Sequence, residues 1–247
     1  MLDYLILAVS AFIAGGLNTV AGGGTFLTFP ALVYTGVPVV AANATSAIAV
    51  FPGYLGGAVG FRSEIAAYDG QRLLKIVGIA AIGGLIGSSL LLVSSNEAFS
   101  FIVPFLLATA TLIFAYGERI QTWLRHRRWG KPEGPVGTLL VSIYGGYFNG
   151  GLGIVLLALF SLWGMRDLNT MNGLKNGLSF VLSAISVATF SAAGLVSWPQ
   201  AAVMMMAATI GGYAGAPLAR KIPRKVIRGA VIGVGILMSL IFFLKII

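Results

Sequence analysis

From Tyr4 to Phe61 the chain carries no charged residue, yet residues 14–30, AGGLNTVAGGGTFLTFP, put five glycines and an Asn-Thr pair inside that stretch. An apolar run of this length belongs in a bilayer, where about 20 residues suffice for one helical crossing. Irregular backbone at membrane depth is tolerated only where protein buries it or where it lines a polar cavity. A break at this place therefore marks either a packing site or a binding site.

The rest of the composition agrees with a membrane. Hydrophobic residues make up 57% of the 247 and charged residues 9%, with a mean hydropathy of +0.94. Soluble chains carry about 25% charged residues. Asp3, and the absence of Lys or Arg before Arg62, argue against a cleaved signal peptide, which needs a basic segment ahead of its apolar core. The expected start is mature structure. With no cysteine, disulfide frameworks, thiolate metal sites and cysteine nucleophiles are excluded together. The net charge of +9 lies in short clusters between apolar segments, which reads as loops facing anionic lipid and not as a nucleic-acid surface.

Charges and turn residues divide the apolar sequence into spans. Uncharged stretches run 4–61, 76–96, 98–117, 134–165, 176–219 and 229–244. Gly36-Val37-Pro38 divides the first, and Gly194 through Pro199 divides the fifth. Full spans are expected near 39–61, 73–93, 98–116, 172–194, 200–219 and 228–245. Two pieces remain, 4–35 and 136–164, each with a glycine-rich break.

The basic residues orient these spans. Loop 62–75 holds Arg62, Arg72 and Lys75; linker 117–135 holds Arg119, Arg125, Arg127, Arg128 and Lys131; loop 220–228 holds Arg220, Lys221, Arg224, Lys225 and Arg228. All three are expected in the cytoplasm, while the connections 94–97 and 195–199, which have no Lys or Arg, are expected outside. Parity then makes 4–35 a re-entrant hairpin from the outer face and 136–164 one from the inner face. Arms of 11 to 13 residues cover about half a bilayer, so the tips are expected to meet near its midplane.

The two halves also resemble each other. GGLIGSSL at 83–90 matches GGYAGAPL at 211–218 at an offset of 128, and the tips with Asn43 match those with Asn172 at an offset of 129. The expected fold is an all-α integral membrane protein of two inverted-topology repeats, each a re-entrant broken-helix hairpin plus three transmembrane helices. Its parts are an N-terminal repeat 1–116, a basic cytoplasmic linker 117–135 and a C-terminal repeat 136–247. GGLIG and GGYAG read as close helix packing. Consecutive glycines with Asn and Thr at the tips offer backbone N–H groups and polar side chains, which suit an anion.

The candidate site follows from the tips and the spans after them. Asn18, Thr19, Gly22, Gly23, Gly24 and Thr25 form the first tip, and Asn43, Thr45 and Ser46 begin the next span. Their counterparts are Asn149, Gly150, Gly151 and Gly153, then Asn172, Lys175 and Asn176. Amide and hydroxyl donors match the oxygens of an oxyanion. Lys175 falls about one turn inside its expected span, where a lysine either snorkels to the interface or meets an anion. Asp3, Glu64, Asp69, Glu97, Glu118, Glu133 and Asp167 all fall at segment ends or in loops, which leaves no midplane carboxylate for a proton relay. His126, in RHRRWGK, reads as a solvated loop histidine. Without an intramembrane metal cluster, or a base beside a nucleophile, no enzyme activity and no cofactor are expected.

At these residues the chain resembles the TauE/SafE family, the sulfite exporter and sulfonate permease group. The resemblance is carried by GGLNTVAGGGTFLTFPALVYTGVPVVAANATSA (15–47), GGYFNGGLG through NGLKN, and GGYAGAPLARKIPRKVIRG (211–229). Gly173-Leu174-Lys175 departs from it, since the family usually has a small residue with Thr-Ser there. The resemblance implies transport of a small sulfur-containing or organic anion across the bacterial inner membrane. The expectation is a secondary transporter working by alternating access, multi-pass in that membrane, with an anionic substrate and the lipid bilayer as partners. An anion channel and a non-transporting assembly factor are the alternatives, and homo-oligomerisation stays open.

Overall fold

The computed structural model describes residues 1–20, 23–126, 134–219 and 224–244, and among these every regular element is helical. The chain runs α1 (Leu2–Val20), α2 (Thr25–Tyr34), α3 (Val39–Gly60), α4 (Arg62–Ala66), α5 (Gly70–Leu92) and α6 (Asn96–His126). It continues with α7 (Pro135–Tyr147), α8 (Leu152–Leu162), α9 (Leu168–Ala192), α10 (Trp198–Ala219) and α11 (Arg224–Leu244).

The helix ends follow local chemistry. Asp69 caps α5 by accepting from Arg72 N at 3.0 Å, and Asp167 caps α9 by accepting from Thr170 N at 2.9 Å. Gly36, at φ +86, and Gly164, at φ +80, close α2 and α8 in the same way. In each, the following residue reaches back into the helix, Val37 N to Leu32 O at 3.0 Å and Met165 N to Phe160 O at 3.1 Å. The Thr170 hydroxyl and amide hold the Asp167 carboxyl below the usual carboxylate range. A depressed folded-state value means the stabilisation is present above the unfolded-state titration and is lost as pH falls through the folded one. The protection factor of the Thr170 amide, its exchange rate relative to the free-peptide rate at the same pH, should therefore fall on acidification, and Asp167→Asn should flatten that dependence.

Three element lengths differ from the sequence reading. α1 has 19 residues, about 28 Å of helix, because Gly15 and Gly16 are tolerated inside it and the backbone breaks only after Val20. α6 continues through Gly117 to His126, since the stretch beyond it has helix formers and no proline. The start of the basic linker is thus helical, and residues 127–133 lie outside the described ones. α9 begins at Leu168, which places Lys175 two turns inside the helix.

Four helices are long and apolar enough to cross a membrane among the described residues: α3, α5, the part of α6 from Asn96 to Gly117, and α9. The other two expected spans, α10 and α11, flank residues 220–223, which lie outside the described ones. Leu74, Ile82, Leu140 and Ile210 are more than half exposed, as lipid-facing side chains are. The interior is well filled. Phe29 stacks on Phe242 at 5.7 Å and meets Phe148 and Phe99 edge-on at 5.9 and 6.4 Å.

The packing is reciprocal between the halves. α1 packs on α10, and α7 packs on α5; α3 meets α10, and α9 meets α5. α3 also packs against α9, and α6 against α11. Both of these last pairs are antiparallel: Phe51 stacks on Phe180 while Gly57 abuts Asn176, and Phe105 meets Phe243 while Gly235 abuts Thr111. The close packing depends on glycine. A Cβ on Gly87 would lie 2.1 Å from Ile143 O, and one on Gly211 would lie 1.9 Å from Phe12 O.

Candidate functional site

Two short helices begin beside each other. α2 starts after Gly23 (φ +93) and Gly24, and α8 starts after Asn149 (φ +57) and Gly151 (φ +70). Left-handed backbone turns the chain back at both tips, at little cost for glycine, and asparagine is among the side chains that tolerate it best. Both helix N-termini then open onto one small chamber of about 20 Å³, room for about one water. Asn18, Gly23 and Thr25 line it from the first tip; Asn149, Gly151 and Gly153 line it from the second. Lys175 and Asn176 complete the wall from α9.

Several of the polar groups there are held in place. The Asn18 carboxamide oxygen accepts from Gly24 N at 2.7 Å, which ties the end of α1 to the start of α2. Asn149 engages the Tyr54 side chain, and its own Oδ1, although buried, has no hydrogen-bond partner among the described residues. The Tyr144 hydroxyl donates to Gly150 O and fixes the second tip from behind. Lys175 runs its aliphatic chain over Gly153, where an added Cβ would lie 3.3 Å from Lys175 Cδ. Its Nζ donates to Asn172 Oδ1 at 3.1 Å.

A larger cleft of about 420 Å³ adjoins the chamber and shares Asn18, Tyr54 and Asn176 with it. Pro52 lies inside α3 here, and Gly53, Gly56, Gly57 and Gly60 leave its face without side chains. α1 and α10 form the opposite wall through Gly15, Ala208 and Gly212. Tyr54 escaped the sequence reading. The signal was Pro52-Gly53-Tyr54 in mid-span, a polar aromatic beside a proline and a glycine.

Other expected site residues lie elsewhere. Asn43 Nδ2 donates to Tyr147 O at 2.8 Å, and Thr45 accepts from Ser197 N at 3.1 Å. Ser46 pairs with Thr28 at 2.6 Å. These three side chains join segments distant in sequence and do not line the chamber. Gly24, Gly150 and Asn172 stand just behind its wall, bonded to lining or tip residues. Gly22 lies outside the described residues, as does the side chain of Thr19. Among the described residues no group of His, Cys, Asp or Glu could hold a metal, and the chamber has no acidic side chain in its wall.

Comparison with known proteins decides the lineage. The family model Sulfite exporter TauE/SafE matches residues 7–242. The chain belongs to the TauE/SafE family. A probable membrane transporter protein of Haemophilus influenzae is 27% identical over 240 residues, covering 95% of this chain and 92% of the relative. The probable membrane transporter protein YfcA of Escherichia coli K12 is 26% identical over 254 residues, covering 97% and 90%. A probable membrane transporter protein, ORF9, of a Sinorhizobium species is 26% identical over 243 residues, covering 95% and 90%. No solved structure matches the chain. TauE/SafE proteins are membrane transporters, and this member is a multi-pass protein of the bacterial inner membrane.

Proposed function

We propose that this TauE/SafE protein carries a small anion, such as sulfite, a sulfonate or a short carboxylate, by alternating access around the chamber between its two tips. The observation that carries the reading is the convergence of two helix N-termini and Lys175 on one space with no carboxylate in its wall. Each N-terminus contributes the positive end of a helix dipole, although Phe26, Leu27, Leu152 and Ile154 N already donate to carbonyls of the tips. All three features favour negative charge. The chamber alone is smaller than an oxyanion, so the ligand's body sits where chamber and cleft join, between Asn18, Tyr54 and Asn176, with oxygens turned toward the tips.

Two inverted repeats, 1–116 and 136–247, joined by the basic linker 117–135, supply the second state. Supporting this are the reciprocal packing of the halves and the antiparallel contacts of α3 with α9 and of α6 with α11. Counterparts related by an axis along the membrane normal would run parallel. Topology can be read directly, because the chain has no native cysteine. Single cysteines replacing Ser95 and Ser197 should react with an impermeant reagent from outside, and those replacing Ser63 and Gly130 only from inside. Outside labelling at Gly130 would sink the inverted arrangement.

The functional reading is tested by uptake into proteoliposomes of labelled sulfite, thiosulfate, sulfonates and short carboxylates. Saturable uptake of at least one supports a carrier. Current in a planar bilayer without saturation indicates a channel, and neither flux nor binding indicates an assembly factor.

A further inference from the structure

Four buried serines have unusual surroundings. Ser142 on α7 and Ser179, Ser183 and Ser186 on α9 are each at most 2% exposed, and their hydroxyls find no hydrogen-bond partner among the described residues. A buried serine in an apolar helix ordinarily bonds back to the carbonyl four residues earlier. Ser10, Ser161, Thr189 and Ser239 all do so here. The four leave that option unused. A desolvated hydroxyl without a partner is unfavourable, so such groups are expected where water or a polar ligand reaches them in some state.

Their positions are not scattered. The tip bends pair α1 ending at Val20 with α7 ending at Tyr147, and the helix starts pair Val39 of α3 with Leu168 of α9. In that register Ser142 corresponds to Gly15, Ser179 to Val50, Ser183 to Tyr54 and Ser186 to Gly57. Gly15, Val50, Tyr54 and Gly57 all line the open cleft. In the serine half the space is filled instead: Leu182 lies against Gly84 and Gly145, and Gly83 abuts Ser142.

We propose that Ser142, Ser179, Ser183 and Ser186 line the outer leg of the substrate path, shut in this structure, as the counterpart of the cleft that stands open on the cytoplasmic side. This inference rests on the alternating-access reading above and assigns residues to the half of the cycle not seen here. In the opposite state α9 parts from α5 and α7, water and the anion reach the four hydroxyls, and α3 closes on α10. The serines then supply neutral hydrogen-bond donors along the way to the tips, where a fixed charge would hold the anion too long.

Cysteine accessibility tests it. Ser183→Cys and Ser186→Cys, in membrane vesicles of each orientation, are treated with an impermeant methanethiosulfonate carrying a quaternary ammonium. Both should react from the outer side at least tenfold faster than Leu178→Cys, a buried neighbour on the same helix, and should not react from the inner side. Gly56→Trp adds a wedge: a Cβ there meets nothing within 4 Å, so the indole is accommodated in the open cleft and prevents its closure. The wedge should lower the outer reaction rate of Ser183→Cys at least tenfold. Reaction from the inner side, reaction no faster than at Leu178→Cys, or a rate indifferent to the wedge overturns the proposal. Anion uptake in parallel keeps the two readings apart. Uptake with silent serine positions refutes the outer leg alone, whereas wedge-sensitive outer labelling without uptake supports the leg and removes the anion assignment.

Discussion

Lys175→Gln should weaken anion binding about ten- to a hundredfold while leaving the protein folded. A charge-assisted hydrogen bond contributes about 1.5–3 kcal/mol, and glutamine keeps a donor and most of the length while removing the charge. The position makes the test informative. Lys175 lies two turns inside α9, partly buried, with its chain over Gly153 and its ammonium at Asn172. A lysine that merely snorkels would lose no affinity on this change. Thermal-shift or calorimetric titration of the purified variant with the anion found in the liposome panel gives the comparison. An unchanged dissociation constant in a folded variant leaves recognition to the backbone and amide donors of the tips.

Gly87→Ala should be among the most damaging single-methyl changes to folding. Its Cβ would stand 2.1 Å from Ile143 O and 2.8 Å from Tyr147 N, so the obstacle is backbone and cannot rotate away. Relief requires moving α5 off α7, which costs on the order of 1–3 kcal/mol, and the backbone on both sides puts this case at the upper end. Gly211→Ala should behave alike, since its Cβ would meet Phe12 O at 1.9 Å on the reciprocal α1 and α10 contact. Gly78→Ala is the control on the same helix as Gly87, with nothing within 4 Å. Thermal unfolding in detergent should drop for the first two and stay in place for the third.

Much of this was legible in the sequence because charge and glycine act locally. Lys and Arg clusters mark the ends of apolar segments, and the runs at 22–24 and 150–151 mark the places where the chain turns back. The packing role of Gly83, Gly87 and Gly211 was legible for a similar reason: small residues one turn apart let two backbones approach. The cleft was not legible. Gly53, Gly56, Gly57 and Gly60 repeat the same small-residue spacing, and only the tertiary arrangement leaves most of that face open. Asn43, Thr45 and Ser46 show the complementary difficulty. A polar residue in a span next to a tip reads as a ligand, yet their bonds go to Tyr147, Ser197 and Thr28, partners that no local pattern specifies. The length of α1 was hidden too, because Gly15 and Gly16 resemble a break but stay helical against α10.

The central claim is that one site between two tips is offered to each side of the membrane in turn. Counterflow measures this directly. Proteoliposomes of the wild-type protein, loaded with unlabelled anion and diluted into labelled anion, should show a transient accumulation of label above equilibrium, because the occupied site returns faster than the empty one. Lys175→Gln should shift the concentration needed for the overshoot upward by the same ten- to a hundredfold. Label that rises only to equilibrium, at a rate indifferent to the anion loaded inside, would contradict a carrier and describe a channel.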